Sequence, residues 1–193
     1  MKKQLIAVVS ALAMTFTSLP CVSIATENVP KPVVQYTFDG NKQLADQNGK
    51  NELKLSGGAS VTDDGNKGKG LLLDGTDGYA ELPDNILSSD MTITTWVKIN
   101  KFTTWGRVFD FGTDSNQNFF FAPYSSGASR VEIKNGATVD TMDCAQETAK
   151  DWVNYAITIK GDTVSYYRNG RLIKSKSGIK DISELTNTAN YIG

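Results

Sequence analysis

The stretch FDFGTDSNQNFFF, residues 109–121, admits three readings, and the fold turns on which of them holds. Asp110-Phe111-Gly112 has the spelling of the magnesium-binding motif of protein kinases. Asp114 to Asn118 has the look of the start of a calcium loop. The flanking phenylalanines fit two strands joined by a polar turn. The kinase motif needs an upstream His-Arg-Asp loop, and this chain of 193 residues contains no histidine. An EF-hand loop counted from Asp114 needs Gly at its sixth position and Glu at its twelfth. Phe119 and Ser125 stand there instead. The strand reading survives. It places Phe109 with Phe111 on one face, and Phe119 with Phe121 on one face of the next strand. The turn falls at Thr113 to Gln117, and Asp110 lies opposite its phenylalanine neighbours.

The same pattern extends in both directions. Met91 to Ile99 alternates, with Met91, Ile93, Thr95, Val97 and Ile99 on one face and Thr92, Thr94, Trp96 and Lys98 on the other. Val153 to Lys160 alternates likewise, with Val153, Tyr155, Ile157 and Ile159 together. Further short strands are predicted at Val33–Phe38, Leu71–Leu73, Tyr79–Leu82, Arg107–Phe111, Asn118–Ala122 and Arg130–Lys134. Val164–Arg168, Asn169-Gly170 and Arg171–Lys174 read as a hairpin on a type I′ turn, because both central residues tolerate positive φ. Asp181 to Leu185 fits a single helical turn. No segment carries a helical period of useful length. Many short strands between Gly- and Asn-rich turns predict an all-β, two-sheet antiparallel sandwich.

Residues 1–25 are a different material. Lys2 and Lys3 precede an uncharged, mostly apolar run from Leu5 to Leu19, and Ser23-Ile24-Ala25 is a small-x-small site. This reads as a secretory signal peptide cleaved after Ala25, with an apolar run short for a membrane span. A lipoprotein signal is the weaker reading, because Pro20 directly precedes Cys21. Residues 26–32 form a linker with Pro30 and Pro32, and residues 33–193 form one domain. Removing Lys2 and Lys3 takes the formal charge from −1 to −3. So mild an acidity gives no reason to expect nucleic acid or an anionic membrane as a partner. Cys21 would leave with the signal, and Cys144 would then have no partner in the chain. The absence of histidine excludes a Ser-His-Asp triad, a Cys-His dyad and histidine-ligated zinc.

Glycoside hydrolysis requires two carboxylates about 5–10 Å apart. Sandwich-type glucanases often carry them as E-x-D-x-x-E on one strand, and that motif is absent. The Gly-rich stretch DDGNKGKGLL, residues 63–72, lacks the Lys-Ser or Lys-Thr of a phosphate loop and reads as a connection. The aromatic residues point to binding instead. Trp96 shares a polar strand face with Thr92, Thr94 and Lys98, and Tyr167 shares one with Ser165. An aromatic on a polar sheet face either stacks on the apolar C–H face of a sugar ring or lies under a loop or a further strand. Trp105 and Tyr124 bracket the opening segment near turns. They either line a rim site or serve as half-buried anchors. Arg107, Asn116 and Asn118 are the polar candidates beside them.

LLLDGTDGYAELP (71–83), MTITTWVKIN (91–100), RVFDFG (107–112), DWVNYAITIKGDTVSYYRNGRLI (151–173) and NYIG (190–193) occur in an order that resembles LamG-like jelly-roll domains. These belong to the concanavalin A-like lectin/glucanase superfamily. RVFDFG followed by NFFFAP is similar to modules attached to bacterial enzymes that degrade plant polysaccharides, such as arabinofuranosidases and xylosidases. The resemblance covers about residues 33–193. It implies a curved jelly-roll sandwich, often with one structural calcium ion near the chain ends. YTFDG matches the family's first strand, so Asp39 is the one ligand carried over. Family members continue past NYIG into a closing strand, so the resemblance implies a fragment of a longer protein or a sandwich with an open edge, the former preferred. The function implied is a secreted, non-catalytic carbohydrate-binding or accessory module, the N-terminal part of a larger glycoside hydrolase. Its expected partner is a polysaccharide or a neighbouring catalytic domain. The alternatives are a cell-surface adhesion domain that binds protein and, third, a glucanase-type enzyme.

Overall fold

A computed structural model describes residues 31–193. The expected signal peptide, and the linker as far as Pro30, lie outside the described residues. The strands are β1 (Lys54–Ser56), β2 (Ser60–Thr62), β3 (Gly70–Leu72), β4 (Tyr79–Leu82), β5 (Met91–Val97), β6 (Phe109–Asp114) and β7 (Gln117–Ala122). They continue as β8 (Ala128–Asn135), β9 (Thr138–Ala145), β10 (Val153–Lys160), β11 (Thr163–Arg168), β12 (Arg171–Ser177) and β13 (Ala189–Ile192). One sheet has seven strands in the order β1-β4-β13-β6-β7-β8-β9, the other four in the order β12-β11-β10-β5, and β2 with β3 forms a small ribbon. Every pairing is antiparallel, which is the expected all-β sandwich. Among the described residues, no helix is long and apolar enough to cross a membrane.

The period-2 pattern decides what fills the sandwich. On the seven-stranded sheet Phe109, Phe111, Phe119, Phe121, Val131, Ile133 and Met142 are buried. On the four-stranded sheet Val153, Tyr155, Ile157, Ile159, Val164 and Tyr166 are buried. The sheets meet through aromatic rings: Phe121 lies 5.1 Å from both Tyr155 and Tyr166. Fully burying each such side chain contributes about 1.5–3 kcal/mol. At one side the sheets are joined by polar contacts between edge strands. Lys176 of β12 pairs with Asp140 of β9 at 3.0 Å, and Lys174 donates to the Asp143 carbonyl at 2.9 Å.

The opening segment is a hairpin, β6 to β7, with a turn tighter than expected. The strands run to Asp114 and from Gln117. The Asp114 carboxylate accepts the Asn116 and Gln117 amides at 2.7 and 3.1 Å, an Asx turn that replaces backbone bonds. The Asn169-Gly170 turn has φ of 49° and 76°, as a type I′ turn requires. The helical turn is a 3-10 helix, Ile182–Glu184, capped by Asp181. The segment Val33–Phe38 is no strand, against expectation. It has no ladder partner among the described residues, and Tyr36 and Phe38 pack on the core instead.

Candidate functional site

The outer face of the seven-stranded sheet carries a row of side chains set by register. Tyr191, Asp110, Phe120, Glu132 and Thr141 lie opposite one another on β13, β6, β7, β8 and β9. The next row carries Ala122, Arg130 and Asp143. Phe120 is the exception to the core pattern. As the middle of three consecutive phenylalanines it must point outward, yet it is buried. The loop before β6 covers it: the Arg107 guanidinium lies 4.2 Å from its ring centre, and Trp105 meets it edge-to-face at 6.5 Å.

Trp105 is the large aromatic surface of this face. It is 41% exposed, and Arg130 approaches its ring at 5.2 Å. Its amide donates to the Tyr124 carbonyl at 3.0 Å. Its φ of 68° places a bulky residue in the left-handed region, at a cost of about 1–2 kcal/mol. Such strain tends to collect at sites whose geometry matters.

The charges around it are held in place. Arg130 makes a two-pronged contact with Asp143 at 2.7 and 2.8 Å and reaches Glu132 at 3.5 Å. Hydrogen bonds from Arg130 hold the Asp143 carboxyl below its usual range. Arg107 pairs with Asp110. Burial nonetheless pushes the Asp110 carboxyl above its ordinary value, against the opposing pull of Arg107. Among the described residues Asp110 Oδ1 has no hydrogen-bond partner, and neither has Asn118 Oδ1.

The chemistry suits recognition. Asp110 and Glu132 flank Phe120 on alternate strands, ~10 Å apart by strand spacing. An inverting glycosidase sets its carboxylates about 6.5–9.5 Å apart with a water between them. Here the gap is filled by the Phe120 ring, and each carboxylate is paired with an arginine.

The sequence candidates divide into two groups. Trp105, Arg107 and Tyr124 come together, with Asn118 one row away on the same face. Tyr124 is half-buried, its ring 5.6 Å from Phe102. Asn116 sits exposed in the β6–β7 turn, at the opposite end of β7 from Tyr124. Trp96 and Tyr167 lie on the outer face of the other sheet, in the rows of Asn154 and Ala156. Among the described residues no loop buries Trp96, which is 48% exposed. The residues that sequence reasoning passed over are Phe120, Arg130, Glu132, Asp143 and Tyr191. Arg130 and Glu132 were visible as the alternates of Val131 and Ile133.

Asp39 is exposed and accepts the Lys69 amide at 3.0 Å. Calcium takes six to eight oxygen ligands. Among the described residues no three Asp, Glu or Cys side chains gather to supply a metal site. Asp39 would be a lone side-chain ligand there, and backbone carbonyls would have to supply the rest.

Comparison with known proteins agrees with this architecture. An alpha-L-arabinofuranosidase from Bifidobacterium longum subsp. longum is 27% identical over 191 residues, covering 85% of this chain and 18% of the relative. The chain therefore spans under a fifth of that protein's length. Domain 4 of an extracellular arabinanase from Geobacillus stearothermophilus, solved in complex with arabinotriose, superposes with a TM-score of 0.69 at 23% identity. That match covers 83% of this chain and 82% of the domain. The binding domain of botulinum neurotoxin serotype D/C superposes at 0.60 with 15% identity, over 76% of this chain and 39% of that one. Residues 74–193 match the Laminin_G_3 family model, and the chain belongs to the Concanavalin A-like lectin/glucanases superfamily.

Proposed function

We propose that the chain is a secreted, non-catalytic module that binds a plant-type polysaccharide through the outer face of its seven-stranded sheet. It would serve a larger polysaccharide-degrading enzyme. The observation that carries the reading is Trp105: a half-exposed indole held in a left-handed conformation over a rigid sheet, beside Arg130 and Arg107. A flat aromatic surface stacks on the C–H face of a sugar ring, and the fixed charges beside it bond to hydroxyls. The relatedness to an arabinofuranosidase and the fold shared with an arabinotriose-bound domain make arabinan the first ligand to try. The lack of an open, suitably spaced pair of carboxylates on this face supports binding without turnover.

Affinity electrophoresis of the purified chain through gels containing arabinan, xylan or galactan tests this. Retardation by at least one neutral polysaccharide is expected, and it should be lost in Trp105→Ala. Free migration through all three would refute sugar binding.

A further inference from the structure

Beside the Trp105 platform the same sheet face has a notch of about 50 Å³. Its floor is Gly112 on β6 and Ala189 on β13, which face each other across the ladder. Its walls include Asp110, Asn118 and Tyr191. The notch exists because two neighbouring positions of the outer face hold almost no side chain. Gly112 is enforced by close packing: a Cβ there would run into the Gln117 carbonyl of β7.

Two oxygens at this notch are unsatisfied. Asn118 is only 5% exposed, and its Oδ1 has no partner among the described residues. Asp110 gives one oxygen to Arg107, while its Oδ1, also buried, has none. Buried polar atoms of folded proteins are nearly always paired, so two orphans on one small hollow mark a place for a donor. They belong to diagonal neighbours on adjacent strands, about 7–8 Å apart at the backbone, and both side chains line the notch.

We propose that this notch is a second subsite of the sugar-binding face, which takes two neighbouring hydroxyls of a neutral sugar. The proposal rests on the sugar-binding reading above. Two acceptors call for two donors, and hydroxyls on adjacent ring carbons supply one each. A cationic group would face the Arg107 guanidinium that already neutralises Asp110. An anionic sugar would place its carboxylate against Asp110 and Asp114. The volume admits a ring edge and is far below the roughly 300 Å³ of pockets that enclose a whole ligand. The notch lies about two strand spacings across the sheet and at least one row along it from Trp105, ~12 Å. A ligand that touches both is an oligosaccharide.

Titration calorimetry of the purified chain tests the subsite with three probes: neutral arabino-oligosaccharides, galacto-oligosaccharides and polygalacturonate. Asn118→Ala removes one acceptor, and Ala189→Val fills the notch without removing either. Each is expected to weaken the neutral ligand at least tenfold. The melting temperature reports whether each variant is folded, and Asn118→Ala removes only an unpaired group, so it tests the subsite even if Ala189→Val does not fold. If the wild type binds a neutral ligand and Trp105→Ala weakens it at least tenfold while Asn118→Ala binds as the wild type, the notch is not a subsite and the sugar-binding reading stands. Equal affinity for polygalacturonate overturns the preference for neutral sugars. Binding of no probe overturns both.

Discussion

Replacing Trp105 separates its part in binding from its part in the fold. The side chain is 41% exposed, so of about 250 Å² of Trp surface ~150 Å² is buried and ~100 Å² is open. Losing the buried part costs about 3–4 kcal/mol at 25 cal/mol per Å². Trp105→Ala bears that whole cost, because Ala keeps the left-handed strain. Trp105→Gly recovers about 1 kcal/mol of it, since Gly adopts a φ of 68° freely. Gly should therefore be the more stable of the two, the reverse of the order in a regular strand. For binding, a sugar ring covers between half and all of the open surface, worth about 1.3–2.5 kcal/mol, or about ten- to sixtyfold in Kd. Urea unfolding and calorimetry on both variants supply the two readings. Equal stability of the Ala and Gly variants would refute the strain argument. Full affinity in either would refute the platform.

Trp96→Ala and Tyr167→Ala, on the other sheet, should leave arabinan binding within twofold; a tenfold loss in either would move the site to that face. The Glu147 carboxylate, 2% exposed, binds Arg168 and the Tyr155 hydroxyl, each at 3.0 Å. Glu147→Ala orphans the Tyr155 hydroxyl and should cost about 1–3 kcal/mol in urea, with sugar binding unchanged. Acid should destabilise the fold. Hydrogen bonds lower Asp74 and Asp181, and Arg130 lowers Asp143, so the stability they supply is present above the ordinary carboxylate range and lost as pH falls through their folded values. Asp110 runs the other way, since burial raises it, and a stability rising steadily below pH 4 would contradict the balance. Alkali should act through tyrosine. Burial pushes Tyr36 up to about 12 and raises Tyr155 and Tyr166 as well, so the stability these groups supply is full below pH 10 and falls as pH climbs above it. Tyrosinate absorbance reaching the full amplitude of all seven tyrosines near pH 10 while the fold is intact would refute this.

The strands at 153–160 and 91–97 were legible because each alternates without interruption, and the burial pattern follows the letters. β9 was not. Its sequence TVDTMDCA puts Asp140 where the alternation demands an apolar residue. The reason lies across the sandwich, since Asp140 receives Lys176 from β12. A local pattern cannot announce a partner 36 residues away. The segment 33–38 fails in the opposite sense. Its composition suits a strand, but a strand needs a neighbour, and Phe38 takes a φ of 61° that no strand contains. The site was half legible for the same reason. Arg107, Trp105 and Asn118 lie near one another in the chain, whereas Arg130, Asp143 and Tyr191 reach the face only through the order β13-β6-β7-β8-β9.

FDFGTDSNQNFFF contains five phenylalanines, and the alternation of strands allows only four of them into the core. Phe109, Phe111, Phe119 and Phe121 fill the space between the sheets. Phe120 cannot join them without a register slip that would expose its two neighbours. Covering an outward phenylalanine takes its ring out of water, worth about 1.5–3 kcal/mol, and the loop before β6 does so here. The cover is Arg107 and Trp105, and covering Phe120 is what brings an indole, a guanidinium and the Asp110 carboxylate onto one face. Phe120→Thr should therefore disturb Trp105 and Arg107 more than the core. Near-ultraviolet circular dichroism should lose tryptophan signal, while the cooperativity of urea unfolding is kept. If unfolding loses its cooperativity instead, Phe120 belongs to the core and the outer face has no architecture of its own.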